Sequence, residues 1–140
     1  MLEWNPSLET GNEDIDRQHR EIFAKLNGIE AAIHEGADRE CLIRLITALL
    51  DYSYIHFHHE EHAMNCSRCP FHDANCDAHR EFVLRLRSWL AVIMAGGTQV
   101  SLLKEIHAES CHWIKGHIAK VDIGLLQQPG HGIAMPVLGT

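Results

Sequence analysis

YSYIHFHHEEHAM, residues 52–64, puts His56 and Glu60 four residues apart, so on a helix they stack one turn apart on the same face. That face is expected to be buried. Leu42, Leu45, Leu49 and Tyr52 lead into His56 at 3,4,3,4 spacing, the rhythm of a core stripe. An imidazole followed by a carboxylate in an apolar seam has to be paired or bound to a cation, because a lone buried charge is costly. His58, Glu61 and His62 fall off the stripe and are expected in solvent, with His59 at its edge.

Working outward in both directions, the same rhythm recurs. Ile15, His19, Ile22, Leu26, Ile29 and Ile33 follow one another at 4,3,4,3,4 spacing, after cap-type residues at Asn12 to Asp14. Beyond residue 64, Pro70 in NCSRCPFH ends any helix entering that loop. A third stripe follows in His79, Phe82, Leu86, Trp89 or Leu90, and Ile93, closed by Gly96 and Gly97. A fourth holds Leu103, Ile106, Ser110, Trp113, His117 and Val121. The spacing predicts helices over 14–35, 38–64, 73–95 and 98–124. Short connections make neighbours antiparallel, so the fold class is all-α: an up-down-up-down four-helix bundle with an N-terminal extended arm. One domain over 1–126 and a flexible tail over 127–140, which carries two prolines and three glycines, complete the expected organisation.

Composition narrows the function. A net charge of −7 argues against a nucleic-acid footprint. The start, MLEWNPSLET, has no basic and apolar leader, and no apolar run reaches the roughly 18 residues of a membrane span. A cytoplasmic protein with no membrane contact is expected. Five cysteines, an odd number, do not suggest a complete disulfide framework. Twelve histidines are the anomaly, and several lie in the stripes.

The inward polar residues are His19, His56, Glu60, His79 and His117, with Asp122 less secure. Asp122 follows His117 by five residues, about 140° around an ideal helix. Imidazoles and carboxylates projecting from facing helices are how di-metal centres are built in bundle cores. Without a thiolate, such a set suits iron or manganese, with zinc possible.

The segments WNPSLETG (4–11), IDRQH (15–19), HFHHEE (56–61), HREF (79–82) and WIKGHIAKVD (113–122) closely resemble the hemerythrins in their bacterial single-domain form. The resemblance implies an oxygen-binding non-heme di-iron centre: two iron ions, ferrous or ferric, oxo- or hydroxo-bridged, with dioxygen as ligand. Glu60 and Asp122 would bridge the irons, with His19 and His56 holding one and His79 and His117 the other. One position departs from the pattern. The third helix of the family carries His-x3-His, and the register puts its first histidine at Asn75. Asparagine is the poorer ligand, so the position is open or water-filled, filled by the Asn75 oxygen, or taken over by His72 or Cys76. Cys66 and Cys69 read as loop thiols, with a zinc site alongside His72 and Cys76 or a redox-sensitive disulfide as alternatives.

Three functions remain open on the sequence. One is dioxygen binding for storage, delivery or sensing, in a pocket lined by Ile22, Phe23, Phe57, Phe82 and Trp113. Another is a di-iron redox enzyme acting on peroxide, nitric oxide or ferrous iron through the position vacated at Asn75. The third is a metal-free or zinc-bound structural module. A small-molecule ligand is the expected partner; a protein partner is not legible.

Overall fold

Four helices carry the chain, in a computed structural model that describes the backbone of residues 1–66 and 72–126 and the side chains of 1–64 and 72–120. They are α1 (Glu13–His34), α2 (Arg39–Cys66), α3 (His72–Met94) and α4 (Val100–Leu126), after a 3-10 turn at Pro6–Leu8. Each expected helix is present, and there is no strand among the described residues. The expected tail at 127–140 and Cys69 lie outside the described residues.

The helix ends follow from local chemistry. The Asn12 side chain accepts from the backbone N–H of Asp14 and Ile15 at 3.0 and 3.2 Å, which caps α1. Behind it, the backbone N–H and hydroxyl of Thr10 both donate to Asp16 Oδ1 at 2.8 Å. Asp38 caps α2 through the N–H of Cys41 at 2.8 Å. Gly36 at φ +72° and Gly96 at φ +97° end α1 and α3, where the left-handed backbone closes the helix; Ala37 N–H reaches Ala32 O and Gly97 N–H reaches Val92 O.

Every sequential pair of helices packs together and α4 closes against α1, as an up-down-up-down bundle requires. Ile22, Leu26 and Ile29 of α1, Leu42, Ile46 and Leu49 of α2, Phe82, Leu86 and Ile93 of α3, and Ile114 and Ile118 of α4 are nearly or wholly buried. Each is worth about 1.5–3 kcal/mol relative to exposure. The α1 stripe is as the sequence has it. The α2 seam is rotated: Ile46 and Ser53 are buried, whereas Leu45 and Tyr52 only flank the core. In α3 the seam takes Trp89, with Leu90 half-buried. In α4 it takes His107 and Ile114, leaving Ile106 and Trp113 partly exposed.

The arm lies along the bundle. Leu2 donates its N–H to Asn27 Oδ1 at 2.8 Å and accepts from Asn27 Nδ2 at 2.9 Å. Trp4 stands edge-on to Phe23 at 5.5 Å, under the Arg20 guanidinium. Among the described residues no helix is long and apolar enough to cross a membrane.

Candidate metal centre

Glu60, wholly buried, is the hub. Its two oxygens face different helices. Oε2 lies 3.1 Å from His19 Nε2 of α1 and 3.1 Å from His56 Nε2 of its own helix. Oε1 lies 2.8 Å from His79 Nε2 of α3 and 2.9 Å from His117 Nε2 of α4. All four imidazoles are buried. His19, His56, Glu60 and His117 each offer a ligand atom within 4.8 Å of the others, and His79 Nε2 stands 3.2 Å from His117 Nε2.

The donors fit a cation. Among the described residues His56 Nε2 has no well-aligned hydrogen-bond partner, though it stands 3.1 Å from Glu60 Oε2, the arrangement expected when a nitrogen and an oxygen are aimed at a common point rather than at each other. Burial holds His117 down, at about 4, despite the attraction of Glu60; His56 is lowered for the same reason. Burial alone would raise Glu60, but His117 and His56 outweigh it and hold the carboxyl well below its usual range. Neutral imidazoles around an ionised carboxylate are the forms in which these groups bind metal.

The other side chains divide clearly. Asn75 is buried against the hub, its amide donating to Glu60 Oε1 at 3.1 Å and to Met64 Sδ at 3.2 Å. His72 and Cys76 are not in the group around Glu60: they face each other at 3.7 Å. Burial and the neighbouring Glu61 carboxylate push the Cys76 thiol up to about 11. Asp122 lies on α4, and its side chain is outside the described set, as is that of Cys66.

Two residues that sequence reading passed over hold the imidazoles from behind. His56 Nδ1–H donates to Gln18 Oε1 at 2.8 Å, and Gln18 Nε2 donates to His59 Nδ1 at 3.1 Å. Glu61, expected in solvent, instead accepts from His79 Nδ1–H at 2.6 Å. The spacing held both signals: Gln18 is three residues after Ile15 and four before Ile22, and Glu61 is four after Phe57. His107 is a different case, a core histidine satisfied by the Leu26 carbonyl at 2.8 Å. Around the centre, Phe57 stacks on His79 at 4.0 Å and Trp113 on His117 at 5.0 Å, with Phe82 behind Trp113.

A four-helix bundle with buried imidazoles grouped around one carboxylate is a cation-binding bundle in class. The model of the hemerythrin HHE cation binding domain matches residues 10–128, and the chain belongs to the hemerythrin family. It is 28% identical over 133 residues to a bacteriohemerythrin of Pseudomonas aeruginosa (strain LESB58), covering 95% of this chain and 84% of that protein. A bacteriohemerythrin of Stenotrophomonas maltophilia (strain R551-3) is 29% identical over 122 residues, covering 87% and 77%. The hemerythrin subunit beta of Lingula anatina is 24% identical over 119 residues, covering 85% and 87%. No solved structure matches the chain at a significant level.

Proposed function

We propose that the chain is a non-heme di-iron protein that binds dioxygen, with Glu60 shared between the two irons. One observation carries this reading: the two oxygens of Glu60 are divided between two imidazole pairs, His19 with His56 and His79 with His117. A carboxylate serving one cation would have its imidazoles gathered on one side. Asp122 is the second bridge in this reading, by family resemblance. When bound, the irons supply the electrons and the open coordination needed to take up a small oxidising ligand.

The protein residues set the conditions. Gln18 and Glu61 hold His56 and His79 with Nε2 turned to the hub. Phe57, Phe82 and Trp113 form an aromatic wall beside His79 and His117, an apolar surround that supports the binding reading. Asn75 stands where the family has a histidine and leaves the α3–α4 half one imidazole short. That vacancy favours, as the second reading, an enzyme that reduces peroxide or nitric oxide or oxidises ferrous iron there.

The test is anaerobic reduction of the iron-loaded protein, then exposure to air while the visible spectrum is followed. A carrier or sensor gives a new band that persists and is reversed by removing oxygen. A band that decays at once with turnover of reductant supports the enzyme. Absence of iron in freshly purified protein contradicts both.

A further inference from the structure

His79 is bracketed by two adjacent carboxylates of α2: Nε2 lies 2.8 Å from Glu60 Oε1, and Nδ1–H donates to Glu61 Oε2 at 2.6 Å. Among the described residues no other imidazole of the centre is held this way. His56 is backed by the neutral amide of Gln18, and the outer nitrogens of His19 and His117 meet no hydrogen-bond partner among those residues. The ionic support falls on the half that contains Asn75 in place of an imidazole.

We propose that Glu61 is a positioning residue that offsets the imidazole missing at Asn75, by fixing His79 as the Nδ1–H tautomer and strengthening its Nε2 as a ligand. The inference rests on the reading of Glu60 as shared between two cations. A carboxylate accepting the outer N–H of a ligand histidine fixes the ring and raises its basicity, and the charge makes that hydrogen bond stronger than one to an amide. The Phe57 ring, parallel to His79 within 8°, removes the remaining freedom of rotation. The Cys76 thiol lies beside Glu61, whose charge helps push it up. Glu61 also faces a cavity of about 350 Å³ between α2 and α3, bordered by Tyr54, His58, Arg80 and Arg87, so a substitution at 61 meets open space.

Glu61→Gln keeps an acceptor for the Nδ1–H and removes the charge, whereas Glu61→Ala removes both. In metal-free protein at mildly alkaline pH, long-range proton–nitrogen spectra should show His79 as the Nδ1–H tautomer in the unaltered chain and in Glu61→Gln. Glu61→Ala should move the proton to Nε2, which Glu60 Oε1 still faces at 2.8 Å. In iron-loaded protein, transfer of iron to a chelator should have a faster phase from the α3–α4 half. Glu61→Ala should accelerate that phase by about 10–100-fold and Glu61→Gln by less. Adding Asn75→His to Glu61→Ala should restore slow release. A His79 that keeps its proton on Nδ1 in Glu61→Ala, or an unchanged release rate, overturns the role. An unaltered chain that takes up only one iron contradicts the shared Glu60 instead, and the tautomer measurement still decides the role of Glu61.

Discussion

At the residue scale the centre depends on Glu60 more than on any one histidine, because it faces all four. On the proposed reading, removing this carboxylate strips negative charge from two cations at once. Glu60→Ala should therefore hold less iron per chain than any of the single substitutions His19→Ala, His56→Ala, His79→Ala or His117→Ala, as metal analysis of the purified proteins will determine. Asn75→His should raise iron content toward two per chain and slow the decay of the oxygenated form, provided Met64, which touches Asn75 at 3.2 Å, gives way. Iron content and decay rate unchanged from the parent would contradict the idea of a short half. The histidines also set a pH dependence. His117, at about 4 in the folded chain against an ordinary 6.5, takes up its proton more readily when unfolded. The metal-free protein should thus be fully stable above pH ~6.5 and lose stability as pH falls toward ~4, by on the order of 3 kcal/mol for this group. His56 acts in the same direction, and loss of the Glu60 charge adds to the fall at still lower pH. Urea midpoints across that window test the sign; stability that rises on acidification would refute it.

At the element scale, the helices position these groups through caps and seams. Asn12→Ala should cost about 1 kcal/mol and loosen the start of α1, the segment that presents Gln18 and His19, measured as a lower urea midpoint and faster amide exchange there. Leu86, fully buried on α3, should cost about 2–5 kcal/mol as Leu86→Ala. The helices were legible because hydrophobic period, cap residues and glycine stops all agreed. The finer rotation of α2 was not. Leu45 and Ile46 are both apolar and adjacent, so periodicity cannot choose between them. Ser53, buried on the same face as Ile46, Leu49 and His56, marks the rotation. A serine carries no hydrophobic signal, and tertiary packing alone reveals it.

At the scale of the whole molecule, the four buried histidines and Glu60 were readable because each sits on a stripe that must face the axis of the bundle. Glu61 was missed because a charged residue beside a stripe is ordinarily solvated; its pairing with His79 depends on how α2 and α3 meet. His107 could not be told from a ligand by spacing, since the Leu26 carbonyl that satisfies it comes from another helix. Bundle closure turns five residues from four separate helices into one buried cluster around a single carboxylate. The central proposal is that this cluster holds two coupled cations. Metal-free protein should be titrated with ferrous iron under argon, then oxidised and examined by metal analysis and electron paramagnetic resonance. Two irons per chain, with the ferric ions magnetically silent because they couple to each other, is the predicted result. One iron per chain with the signal of an isolated high-spin ferric ion would contradict it.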